Sequence, residues 1–128
     1  MDLPQTILTR KDEITRDFLA LYEDHVSKLM SGEHRKRYAA KTFAGLLFID
    51  SRHLTNTLKL TTGRSPCDYM EQRIVDEAKK LLAESDLSVA QIGYKFAYDD
   101  PTNFTKFFKG MTGFTPRQYR KQILSSAL

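Results

Sequence analysis

Apolar residues recur at spacings of three and four through residues 13–31: Ile14, Phe18, Leu21, Tyr22, Val26, Leu29 and Met30. That spacing lines one face of a helix. Asp17, Glu23, Asp24 and Lys28 fall mostly off the stripe, Asp12 or Thr15 is placed to cap it, and Gly32 to stop it. After a basic connector at 33–38, residues 39–48 predict a short helix with Phe43, Ala44, Leu47 and Phe48 as its apolar side chains. Asp50 or Ser51 caps the next helix, 51–61, with Leu54 and Leu58 inward and Arg52, Thr55, Asn56 and Lys59 outward. Gly63 suits the left-handed position that ends it, and Pro66 the first turn of its successor. Residues 67–84 then carry Met70, Ile74, Ala78, Leu81 and Leu82 on one stripe, a helix of roughly 25 Å at about 1.5 Å per residue. Ser88 caps a short helix over 88–97, with Val89, Ile92, Tyr94 and Phe96 apolar. Asp99 or Asp100 caps another from Pro101 to Met111, with Phe104, Phe107 and Phe108 inward and Thr102, Asn103, Lys106 and Lys109 outward. Gly113 and Pro116 introduce a last helix over 116–123. Residues 1–12, polar and carrying Pro4, predict a flexible arm or linker stub, and 124–128 a tail.

The pattern repeats. Setting residue n beside n+50 pairs Thr55, Lys59, Thr62, Gly63, Pro66 and Tyr69 with Thr105, Lys109, Thr112, Gly113, Pro116 and Tyr119. Leu54 and Leu58 pair with Phe104 and Phe108, and Ser65 with Thr115. Upstream the offset is 49: Phe43 with Ile92, Leu47 with Phe96, Ile49 with Tyr98, Asp50 with Asp99. A repeat this short means two similar helical units, with 13–66 as the first subdomain, 85–123 as the second and the helix at 67–84 joining them.

Charge follows the same division. Residues 34–64 hold seven Lys or Arg against one acidic residue, and 101–128 hold five against none; the intervening blocks are acidic. Two basic blocks suggest two anion-contacting surfaces rather than one diffuse field. The rest of the composition mostly excludes. Hydrophobic residues at 41% and charged ones at 28% are ordinary for a globular domain and too apolar for a disordered chain. The single cysteine, Cys67, forbids an intramolecular disulfide or a Cys-rich zinc site and fits a reducing, cytoplasmic setting. No apolar run approaches the roughly 18 residues of a membrane span, and the N-terminus has no signal-peptide core. His25, His34 and His53 have no metal-ligand spacing, and no Ser, His and Asp are ordered as a catalytic triad. Asp99 and Asp100 read as caps rather than an acid–base pair, so no enzyme and no cofactor are expected. Phe104 and Phe108 align with leucines, which assigns them to the core rather than to base stacking.

Each unit reads as a helix-turn-helix: a short support helix, a fixed turn, and a second helix whose outward side chains can reach base edges in the major groove of DNA. Over residues 16–122 the chain resembles the DNA-binding domain of AraC/XylS-type transcription regulators. The resemblance rests on Ser88-Val89, Ile92, Asp100-Pro101-Thr102-Asn103-Phe104, Phe107-Phe108-Lys109, Thr112-Gly113, Thr115-Pro116 and Tyr119-Arg120. It rests more loosely on His53-Leu54, Leu58-Lys59, Thr62-Gly63-Arg64-Ser65-Pro66 and Tyr69 in the first unit. It implies an all-α fold of seven helices, with two helix-turn-helix subdomains and a rigid linker helix. It also implies two recognition helices entering successive major-groove segments of double-stranded DNA. By position, Arg52, Thr55 and Asn56, and Thr102, Asn103 and Lys106, are the base-facing candidates; Lys59, Arg64 and Lys109 are the phosphate contacts. The sequence departs from the family at Ala97, where the second turn usually has Gly, at Gly93, where Ala is usual, and at Lys106, where Arg is usual. The first unit has Phe48 at its turn.

The resemblance implies a bacterial, nucleoid-bound regulator, with RNA polymerase as a second partner if it activates. The alternative is an adaptor or anti-activator that keeps the fold without binding DNA, which calls for acidic or apolar outer faces where Arg52, Lys59, Lys106 and Lys109 stand. About 15 residues precede the first helix, so no small-molecule pocket is expected in this chain, whether it acts alone or as part of a longer sensor-regulator.

Overall fold

A computed structural model describes residues 9–126, and all the regular structure among them is helical. Seven helices follow one another: α1 Arg10–Ser31, α2 Ala40–Leu46, α3 Ser51–Thr62, α4 Pro66–Glu84, α5 Val89–Lys95, α6 Pro101–Thr112 and α7 Pro116–Ser126. The architecture is the expected one, with α2–α3 and α5–α6 as the two helix-turn-helix pairs and α4 between them in the sequence. Of the segments assigned to an arm and a tail, residues 1–8 and 127–128 lie outside the described residues; 10–12 are the first turn of α1, and 124–126 the last of α7.

The start of α1 corrects one expectation. Neither Asp12 nor Thr15 stands before the first helical residue. The Thr9 hydroxyl accepts the Asp12 N–H at 3.1 Å, while the Asp12 carboxylate accepts the Thr9 hydroxyl at 2.8 Å. Asp12 is therefore the reciprocal partner of a capping arrangement that begins three residues earlier.

The helices group into two compact units. The first holds the described residues up to Ser27 together with Tyr38–Met70. Its core is Ile14, Phe18, Tyr22, His25 and Val26 from α1, Phe43 and Ala44 from α2, and Leu54, Thr57 and Leu58 from α3. The Phe43 ring is edge-on to Phe18 at 5.7 Å and to Tyr22 at 5.5 Å. Such ring pairs add about 0.5–1.5 kcal/mol beyond the area they bury. Buried His25 is not a loose polar group: it stacks on Tyr38 at 4.2 Å, and its Nε2 accepts the Tyr38 N–H at 3.1 Å.

The second unit holds Lys28–Arg37 and the described residues from Glu71 onward. The last turn of α1 and the connector as far as Arg37 thus belong with α5, α6 and α7. Ile74, Val75, Ala78 and Leu82 of α4, Ile92 and Phe96 at α5, and Phe104 and Phe108 of α6 are buried here. Val75 joins the stripe expected on α4, while Met70 and Leu81 are half-buried. The Arg120 guanidinium donates to the Leu82 carbonyl at 2.9 Å and the Ser85 carbonyl at 3.3 Å, satisfying groups left open at the end of α4.

The repeat extends to the hydrogen bonds. Gly63 and Gly113 hold φ of 79° and 84°, and their N–H groups close α3 and α6 on the Lys59 and Lys109 carbonyls. Thr62 and Thr112 bond back to the Leu58 and Phe108 carbonyls and accept the N–H of Arg64 and Phe114. Ser65 and Thr115 then accept the N–H three residues on. Of the apolar side chains assigned to the two support helices, Phe48 and Tyr94 are exposed.

Candidate nucleic-acid interface

The second helix of each pair presents the surface. α3 and α6 are each 12 residues long and each begins after an extended aspartate. The Asp50 carboxylate accepts the His53 N–H at 2.7 Å, and the Asp100 carboxylate accepts the Thr102 N–H at 2.8 Å. Both helices therefore start and stop in register at an offset of 50. Leu54, Thr57 and Leu58, and Phe104 and Phe108, turn to the core. What remains outside over the first two turns of each is polar, and Leu60 and Met111 are exposed apolar side chains further along.

The support helices end in one way. Among the described residues Phe48 and Ala97 are the non-glycine residues with positive φ, at 59° and 64°. The backbone keeps the left-handed turn in both units although neither position is glycine, at a cost of about 1–2 kcal/mol each. From Phe48 the chain reaches its cap at Asp50; from Ala97 it passes Tyr98 and Asp99 before Asp100. The extra residue of the second unit thus lies between 97 and 100. Gly93 answers a close approach: a Cβ there would stand 3.1 Å from the Phe104 Cβ. Its absence lets α5 sit against the base of α6.

The second turn is held by the connector. The Arg37 guanidinium donates to the Phe96 carbonyl at 2.8 Å and lies 3.7 Å from the centre of the Tyr98 ring. Lys95 Nζ donates to the Met30 carbonyl at 3.1 Å, at the C-terminal end of α1. Burial pushes the Tyr98 phenol above its ordinary range, the Arg37 charge opposes that shift, and Glu71 adds to it.

Of the residues predicted to face bases, Arg52, Asn56, Thr102, Asn103 and Lys106 are exposed on the outer faces of α3 and α6, and Thr55 is half-buried. Lys59 and Lys109 are exposed in the last turns. Arg64 is exposed but turns back, its guanidinium donating to the Asp68 carbonyl at 3.3 Å. Residue-level reasoning passed over His53, which occupies in α3 the position of Asn103 in α6 and is equally exposed. The offset of 50, applied to Asn103, locates it. Among the described residues no group of three or more His, Cys, Asp or Glu is arranged to hold a metal ion, and no helix is long and apolar enough to cross a membrane.

Two helix-turn-helix pairs with matched polar second helices define a class of DNA-binding module. A family model described as a helix-turn-helix domain matches residues 43–122, and the chain belongs to the AraC/XylS-type helix-turn-helix family of transcription regulators, which are not enzymes. The transcriptional activator RhaS of Enterobacter is 28% identical over 114 residues, covering 89% of this chain and 38% of that protein. This chain therefore spans well under half of that relative. Two solved structures share the fold. The C-terminal domain of AraT, a response regulator from Geobacillus stearothermophilus, matches with a TM-score of 0.76 and 23% identity over 89% of this chain and 88% of its own. The DNA-binding domain of the global transcriptional factor AdpA, in complex with a target DNA, matches with a TM-score of 0.72 and 19% identity over 86% and 95%. The chain is a DNA-binding domain of an AraC-type transcription regulator.

Proposed function

We propose that this domain binds a specific double-stranded DNA sequence by laying α3 and α6 into adjacent major-groove segments. The observation that carries the reading is the matched pair of helices: one length, one cap chemistry, one register, and polar exposed side chains over the first two turns of each. Arg52 has the fork that reads guanine, Asn56 and Asn103 the amide that reads adenine, and Thr55 and Thr102 suit an acceptor or a thymine methyl. Lys106 brings a point charge where an arginine would bond guanine bidentately. Lys59 and Lys109 neutralise phosphate, and Arg64 joins them by leaving its bond to the Asp68 carbonyl. AdpA, caught on a target DNA with the same fold, supports the assignment. RNA polymerase is a further partner if the regulator activates, and a nucleoid location follows from the DNA itself.

Alanine variants of Asn103 and Lys106 test it. Each is expected to lose about 1–3 kcal/mol of discrimination on a target fragment, with the helical circular dichroism of the parent retained. If both variants bind like the parent, the second reading surface lies elsewhere.

A further inference from the structure

We propose that Arg37 is a positioning residue for the second recognition helix, acting through the turn that precedes it. The inference rests on the DNA-reading role of α6. In the sequence Arg37 is only one residue of the basic connector at 33–38. The structure gives Arg37 two different tasks. Its guanidinium donates to the carbonyl of Phe96, a residue with no exposed surface, at the C-terminal end of α5 where carbonyls lack helical partners. The same group covers the Tyr98 ring at 3.7 Å, a cation on a π face.

Those two contacts straddle Ala97, the left-handed residue on which the direction of the chain into α6 depends. Beyond it the path continues through packed rings. Tyr98 lies 5.5 Å from Phe104 and 5.9 Å from Phe107, and these two rings belong to the residues next to Asn103 and Lys106. A shift of the Tyr98 ring is therefore passed to the segment of α6 that carries the reading side chains. Lys95, at the end of α5, bonds the Met30 carbonyl at the end of α1. The first unit is built differently: Ile49 stands where Tyr98 does and offers a cation no ring face, and Phe48 at its turn is 95% exposed. The clasp belongs to the second unit, and it makes the connector after α1 part of the apparatus that aims α6.

The test is a double-mutant cycle on the DNA fragment that the parent chain selects from a random double-stranded pool. Arg37→Ala, Arg37→Lys, Asn103→Ala and the double variant Arg37→Ala/Asn103→Ala are titrated against that fragment and its single-base variants, with Arg35→Ala as surface control. Arg37→Ala is expected to lose about three- to thirtyfold in discrimination. The loss should be confined to the bases at which Asn103→Ala also loses it, with the double variant scarcely worse than Asn103→Ala alone. Arg37→Lys, which keeps a donor for the Phe96 carbonyl but not the planar group over Tyr98, falls between. Unaltered discrimination in Arg37→Ala overturns the proposal, as does a uniform loss on every DNA, which is the mark of a phosphate contact. Should Arg37→Ala fail to fold, the Arg37→Lys variant decides by the same pattern. If the parent selects no sequence at all, the DNA-reading role falls and this inference with it.

Discussion

At Ala97 the backbone holds φ of 64° with a Cβ in place, and at Phe48 it holds 59° with a whole phenyl group in solvent. A left-handed residue other than glycine is disfavoured because its Cβ crowds the following carbonyl, so both turns are kept by what surrounds them. At Ala97 the surroundings are visible: Arg37 on the Phe96 carbonyl, Lys95 on Met30, and Tyr98 packed against α6. Relief of the strain is measurable. Ala97→Gly is expected to raise the unfolding free energy by about 0.5–1 kcal/mol, the left-handed relief less the added freedom of glycine in the unfolded chain. A urea titration followed by circular dichroism reads it as a higher midpoint at unchanged slope. Alanine at 97 therefore holds the left-handed turn with strain that a glycine would relieve.

Helix ends are the elements in which local chemistry speaks most directly. Asp50, Ser88 and Asp100 are caps by their own carboxylate or hydroxyl, and Ser88 forms a reciprocal pair with Gln91. Asp50→Ala or Asp100→Ala should each lower stability by about 1 kcal/mol, seen in the same urea experiment, and should loosen the start of a recognition helix. Helix positions, the glycine stops and the inward Leu54, Leu58, Phe104 and Phe108 were legible because each depends on neighbours within one or two turns. The exposure of Phe48 was not, because periodicity assigns a face only while the helix lasts and Phe48 is itself the left-handed turn; Tyr94, inside α5, stands two residues after buried Ile92 and so off its face. Thr9 was passed over because Asp12 and Thr15 carry the same capping chemistry within the next two turns. Arg37 was illegible for a different reason: its partners lie 59 and 61 residues away, and nothing in the run of basic residues at 35–37 distinguishes the one that bonds the turn before α6.

For the whole molecule, the offset of 50 carries most of the account. It pairs the two helix-turn-helix units in the sequence, and in the structure it extends to caps, glycine stops and threonine back-bonds. Charge separates along the same lines, with the basic residues gathered in the blocks that contain α3 and α6 and the acidic ones in α1 and α4. The two units nonetheless differ where they matter. One presents Arg52, His53 and Asn56 where the other presents Thr102, Asn103 and Lys106, so the proposed reading by both helices predicts an asymmetric DNA site. Selection from a random double-stranded pool with the parent, with Asn56→Ala and with Asn103→Ala tests that claim most directly. The account predicts a selected site with two blocks of preferred bases. Asn56→Ala should relax one block and Asn103→Ala the other, and affinity should fall steeply as salt rises. A pool that shows no enrichment, or a single block relaxed equally by both variants, would contradict it.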